Sequence, residues 1–166
     1  MKNTSDIRVF AFTGGNGSGK TTYALKLAKE KGFAFFSLDK TIKNFNVPIN
    51  SYEDYMTFYQ KALDLMSKQA CEVLKAGESV VFDFGGGLPS RIWLKEIAHQ
   101  VETEIEIFHL EVPIDERLQR IKKRNFEKDS EIYSFHMSDE EFFRHNKAES
   151  QPPPEEPGVH VTVIRN

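Results

Sequence analysis

Eight residues near the start of the chain constrain its fold more than any others: Gly14-Gly-Asn-Gly-Ser-Gly19-Lys20-Thr21. They satisfy G-x-x-x-x-G-K-[ST] at every specified position. The pattern has meaning only between a strand and a helix, and both flanks meet that condition. Ile7-Arg-Val-Phe-Ala-Phe-Thr13 is short, apolar and rich in branched and aromatic side chains, which predicts a buried strand. From Lys20 to Lys31, Tyr23 and Leu27 with Ala24, Leu25 and Ala28 recur at helical spacing, and Gly32 stands where a C-cap is expected.

Each position of the loop has a physical task. Gly14, Gly15, Gly17 and Gly19 let the backbone turn tightly and bring N–H groups against phosphate oxygens. Asn16, Ser18 and Thr22 complete the anion-binding stretch, and the helix start adds its positive end. Lys20 is expected on the β- and γ-phosphates, and the Thr21 hydroxyl on Mg²⁺. A glycine-rich hairpin that binds nothing is the plain alternative, and the strand and helix around the loop argue against it. The chain is therefore expected to bind a nucleoside triphosphate, taken as ATP, with Mg²⁺.

The balance of charge narrows the partners. The 166 residues carry 22 Lys plus Arg against 25 Asp plus Glu, a net charge of -3. That argues against a nucleic-acid partner, which would need a strongly basic face. No apolar run is long enough to span a bilayer, so no membrane partner is expected. The single cysteine, Cys71, cannot form an internal disulfide. These features predict one cytoplasmic domain over residues 1–166, as a monomer or homodimer.

Further strands are predicted at 33–38, ending at Asp39, then at 79–83, 104–111 and 159–164. Between them, helices are predicted over 51–76, 89–100, from Pro113 with Ile114, Leu118 and Ile121 as the buried stripe, and over 138–147. Strand and helix alternate throughout, which predicts an α/β three-layer sandwich on a mostly parallel sheet.

Candidate chemistry gathers at strand ends. Asp83 closes the run Ser79-Val-Val-Phe82, either as an acid that holds magnesium or as a cap for the turn at Gly85-Gly-Gly87. Asp39 either takes a proton from an acceptor hydroxyl or caps the helix starting near Lys40. Arg117, Arg120 and Arg124 share one helical face, turned away from Ile114, Leu118 and Ile121, which reads as a solvated basic surface or, beside a phosphate cradle, as charge stabilisation for a transferring phosphoryl group. That second reading favours Arg120 and Arg124. Arg91 either holds a substrate anion or pairs with Glu96 or Asp83. Asp83-Phe-Gly85 and Asp83-x-x-Gly86 imitate kinase and GTPase signatures, but the H-R-D loop and a proper N-K-x-D element are missing. The five histidines form no ligand cluster.

These segments together resemble a known family. The loop Gly14–Thr21, Asp39, Val80-Val-Phe-Asp83 with Arg91, and Leu110-Glu-Val-Pro113 followed by Glu116-Arg-Leu-Gln-Arg120-Ile-Lys-Lys-Arg124-Asn125 are similar to the AAA-domain, zeta-toxin-like small P-loop kinases. That family is related to gluconate kinase and chloramphenicol phosphotransferase. Phe142 to Pro154, with Glu155 and Glu156, resembles its post-lid region. The resemblance covers nearly the whole chain. It implies a five-stranded sheet of nucleoside-monophosphate-kinase type and a small lid near 125–148. By match, Lys20, Thr21 and Ser18 become ligands of ATP and magnesium, Asp39 the base, and Arg120 and Arg124 lid arginines. Relatives often carry D-[AG]-[TN]-N after the third strand, where this chain has Asp83-Phe-Gly-Gly-Gly87, a departure on the acceptor side.

The expectation is an ATP-dependent kinase acting on a small molecule through a hydroxyl or phosphate acceptor. Asp39, Asp83 and Arg91 are its expected acceptor-side residues, and Thr21 and Asp83 its metal ligands. The alternative is an NTP-hydrolysing switch with a protein partner, for which Tyr52-Glu-Asp-Tyr-Met-Thr-Phe-Tyr59 would serve as a surface unless, as its spacing suggests, it faces the core.

Overall fold

The computed structural model describes residues 7–83, 88–128, 136–146 and 151–165. Five strands form one parallel sheet: β1 (Ile7–Thr13), β2 (Ala34–Ser37), β3 (Val80–Asp83), β4 (Glu104–Glu111) and β5 (Val159–Arg165), in the order β2-β3-β1-β4-β5. Every pairing is parallel. Val80, Val81 and Phe82 are all fully buried, as expected for a strand covered on both faces.

Helices α1 (Lys20–Lys31), α2 (Leu38–Lys43), α3 (Tyr52–Thr57), α4 (Tyr59–Lys75), α5 (Leu88–Gln100), α6 (Ile114–Glu127) and α7 (Asp139–His145) connect and cover the strands. One core layer joins Val9, Ala11, Val80, Phe82, Ile105 and Ile107 of the sheet to α2, α4 and α5. The opposite layer joins Phe12, Val81 and Leu110 to Ala24 and Ala28 of α1. Side chains alternate across the pleat, so one strand feeds both layers.

The register sets the site. Phe12 lies level with Asp83, and Asp83 lies level with Ser37. The carboxyl ends of β1, β2 and β3 thus finish together, where open α/β sheets bind ligands, beside the point at which strand order reverses around β1.

Three sequence expectations change. The second strand stops at Ser37, not at Asp39: the Ser37 hydroxyl accepts from the Lys40 amide, so Leu38 and Asp39 already lie in the first turn of α2. The helix expected over 51–76 is two helices that meet at Phe58, which ends α3 and starts α4. In α6 the buried residues are Arg117 and Ile121, whereas Ile114 is exposed and Leu118 only half-buried. The Gly85–Gly87 turn, residues 129–135 of the expected lid and residues 147–150 lie outside the described residues. Among the described residues no helix is long and apolar enough to cross a membrane.

Candidate active site

The loop after β1 leads into α1 through Gly19, whose φ of 96° is left-handed and which contributes no capping side chain. The first amides of α1 therefore receive no side-chain cap among the described residues, as an anion site requires. Two glycines of the loop are dictated by close approach. A Cβ on Gly15 would overlap the Arg117 guanidinium and come within 2.8 Å of Asn146 Oδ1. Gly17, at φ +80°, would meet the Arg117 carbonyl at 2.6 Å. Lys20 Nζ donates to the carbonyls of Gly14 (2.8 Å) and Gly15 (3.3 Å), holding its ammonium over the loop. Asn16 is half-buried and Thr22 exposed. Ser18 Oγ is buried with no hydrogen-bond partner among the described residues.

Asp83 is buried at the end of β3, and the Thr21 hydroxyl donates to its Oδ2 at 2.6 Å. Burial pushes the Asp83 carboxyl above its ordinary range, against the pull of Lys20 and of the Thr21 hydrogen bond. A buried carboxylate and a hydroxyl at the edge of a phosphate loop are hard oxygen donors, the ligands Mg²⁺ selects. The Thr21–Asp83 pair and the glycine-lined loop fit Mg²⁺ and a triphosphate.

Asp39 lies near enough for its charge to push the Asp83 carboxyl up further. The Tyr55 phenol donates to Asp39 Oδ1 at 2.6 Å. Burial, and then the Asp39 charge, raise the Tyr55 pKa well above that of an ordinary phenol, so Tyr55 remains a donor. Ser37 provides the cap of α2, so the capping role offered as the alternative for Asp39 belongs to the residue two before it. At the start of α4, the Tyr59 hydroxyl lies 3.3 Å from Ser90 Oγ.

The three arginines of α6 divide. Arg117 leaves the solvated face expected of it: it is buried, its Nε donates to the Val112 carbonyl at 3.1 Å, and its Nη1 to Asn146 Oδ1 at 2.7 Å. Arg120 Nη1 donates to the Gly17 carbonyl at 3.0 Å and reaches Glu116 at 3.8 Å. Arg124 is half-buried and lies in the fields of both Asp39 and Asp83. It makes neither a hydrogen bond nor an ion pair among the described residues. Burial lowers its pKa, while the two carboxylates oppose that shift.

The structure thus brings together the loop, Thr21, Asp83, Asp39 and Arg124, with Arg120 on the loop. Arg91 is not in that group. It lines a separate groove with Leu94, Ile107, Pro154 and Val159, and it pairs with neither Glu96 nor Asp83. Tyr55 and Asn146 are site residues that the sequence reading did not assign, and Arg117, weighed there as a solvated or charge-stabilising arginine, is instead buried beneath the loop. The signal for Arg117 was its position four residues before Ile121, inside the stripe that faces the core. Tyr55 carried only the spacing of a core-facing helix, and Asn146 carried none.

The sequence profile of the AAA domain family matches residues 9–141. Among solved structures, a candidate kinase from Chloroflexus aurantiacus is similar over 98% of this chain and 87% of its own, with a TM-score of 0.78 at 14% identity. A gluconokinase from Sinorhizobium meliloti is similar over 96% of this chain and 83% of its own, at TM-score 0.59 and 14% identity. An APS kinase from Mycobacterium tuberculosis, solved with AMPPNP and APS, is similar over 95% of this chain and 88% of its own, at TM-score 0.58 and 19% identity. Comparison with the curated proteins found no match. These likenesses show the fold of small P-loop kinases.

Proposed function

The chain belongs to the AAA domain family, within which it has the fold of the small P-loop kinases, and from that premise we propose that it is an ATP-dependent, magnesium-dependent phosphotransferase acting on a small molecule. Arg124 is the observation that supports this reading most. A half-buried guanidinium without a direct partner among the described residues is costly unless something else uses its charge. Here it lies in the fields of two carboxylates at the edge of a phosphate loop, where negative charge develops during phosphoryl transfer.

In this reading the amides of the loop and the Lys20 ammonium hold the terminal phosphates of the nucleotide. Thr21 and Asp83 hold the metal, which when bound neutralises phosphate charge. Asp39, oriented by Tyr55, accepts the proton of the acceptor hydroxyl. The acceptor oxygen bonds to the γ-phosphorus as the bond to the β,γ-bridging oxygen breaks, and ADP leaves. Arg124 and Arg120 stabilise the charge spread over the transferring group. A lid near 125–148, a cytoplasmic location and a monomeric or dimeric state belong to the same proposal.

The test is product analysis with γ-labelled ATP and Mg²⁺ across a panel of metabolites, with Asp39→Asn and Arg124→Ala alongside. Label on an organic acceptor, lost in both variants while Mg·ADP binding persists, supports the kinase. Label only in inorganic phosphate favours the hydrolysing switch, and normal transfer by Asp39→Asn rejects the base assignment.

A further inference from the structure

Asn146, just past the end of α7, is buried, and its amide oxygen does two things at once. It accepts from the backbone N–H of Asn16 in the phosphate loop at 2.9 Å and from Arg117 Nη1 at 2.7 Å. Its own amide nitrogen donates back to the Phe142 carbonyl, which fixes the side chain against its helix. Arg117 is held in turn by the Val112 carbonyl and lies over the Phe142 ring, 5.6 Å from its centroid. The absent side chain of Gly15 leaves the space this pair fills. The loop therefore rests on a platform made from α6 and α7.

The preceding residue points to the other half of the site. The His145 ring stacks on Tyr52, with centroids 3.9 Å apart and planes 21° from parallel. Tyr52 opens α3, the helix whose Tyr55 orients Asp39. Two adjacent residues thus touch the phosphate loop and the helix that positions the candidate base. Met137, which accepts from the Asn16 side chain through Sδ, is tied to α6 by two hydrogen bonds with Asn125, so the segment carrying α7 is anchored at its start as well.

We propose that His145 and Asn146 couple the two halves of the site, Asn146 as a positioning residue for the phosphate loop and His145 as the link from α7 to α3. This rests on the nucleotide-binding reading of the loop. Filling the loop stiffens Asn16 and Asn146, and the His145–Tyr52 stack passes that order to α3 before the acceptor arrives.

The experiment uses the full chain with Mg·ADP as the probe, calorimetry for affinity, and hydrogen exchange of the Asn16 amide and of residues 52–57. In the unaltered protein, Mg·ADP should bind and raise protection over 52–57. Asn146→Ala should expose the Asn16 amide to fast exchange and weaken Mg·ADP about tenfold, the scale of one buried hydrogen-bonding group. Leu74→Ala, a core lesion at the opposite end of the sheet, where Arg8 bonds the Leu74 carbonyl, should lower Tm yet leave both readouts in place. His145→Ala should still bind Mg·ADP but lose the rise in protection over 52–57. Slow Asn16 exchange and unchanged affinity in Asn146→Ala, or an intact α3 response in His145→Ala, would overturn the coupling alone. Absence of Mg·ADP binding by the unaltered protein would overturn the nucleotide reading, and the coupling with it.

Discussion

Tyr55 and Asp39 are 16 residues apart and belong to different helices, yet the Tyr55 phenol donates to the Asp39 carboxylate at 2.6 Å. One carboxylate oxygen is thereby fixed, which in the proposed reaction leaves the other for the acceptor. The pair also ties stability to alkaline pH. An unfolded tyrosine ionises near pH 10.0, whereas Tyr55 in the fold ionises well above it. Between those values the folded chain holds the extra proton, so stability falls as pH rises through that window. Tyr55→Phe should flatten that alkaline decline in urea midpoints measured from pH 9 to 11 (a range set by the ordinary phenol pKa of about 10). It should also slow phosphoryl transfer roughly tenfold, from the lost hydrogen bond to a charged group. An unchanged alkaline slope would remove Tyr55 from this role.

Asp83 shows the opposite balance between stability and chemistry. Burial raises its pKa, so the ionised form that the proposed metal binding requires is a cost to the fold above that pKa, and the cost is relieved as pH falls through it. Asp83→Asn keeps an oxygen for the Thr21 hydroxyl and removes the charge. Its Tm in EDTA at neutral pH should rise, while Mg²⁺-dependent turnover is lost. A lower Tm together with full turnover would contradict both halves of this account.

Lys20 holds its ammonium on two loop carbonyls, those of Gly14 and Gly15, and so organises the loop as well as contributing charge. Lys20→Ala should reduce turnover by at least about a hundredfold, a loss comparable with that of a principal electrostatic stabiliser. Calorimetry should show weaker Mg·ATP binding as well. Binding and turnover equal to those of the unaltered chain would exclude the loop as the phosphate site.

Arg117 is a structural arginine beneath the Gly14–Thr21 loop. Arg117→Met removes the donors to Val112 and Asn146 and leaves two buried oxygens short of partners. Urea unfolding should report a loss of about 2–4 kcal/mol. A loss below about 0.5 kcal/mol, the range of an ordinary surface substitution, would mean that the platform under the loop carries no energy.

Much of this architecture was legible in the chain. The glycines, Lys20 and Thr21 are consecutive, and their spacing alone ties a strand, a turn and a helix start together. The strand at 80–83 and the helix from 114 follow from apolar runs and proline placement. Boundaries were less legible: the Ser37 cap begins α2 two residues before the sequence suggests, and Phe58 divides a helix whose apolar period runs on unbroken.

What the sequence by itself determined is the local chemistry, a phosphate-binding turn between a buried strand and a helix, because that chemistry depends on neighbours along the chain. Only the tertiary structure decided what surrounds it. Asn146 reaches Asn16 across 130 positions, Arg117 fills the space that Gly15 leaves, and Arg124 falls in the fields of Asp39 and Asp83. Arg91, a candidate for the same site, lines another groove. Those placements follow from the strand order β2-β3-β1-β4-β5 and from which face of each helix packs on the sheet. Helical spacing fixes which residues share a face, and burial across the whole sheet fixes where that face points.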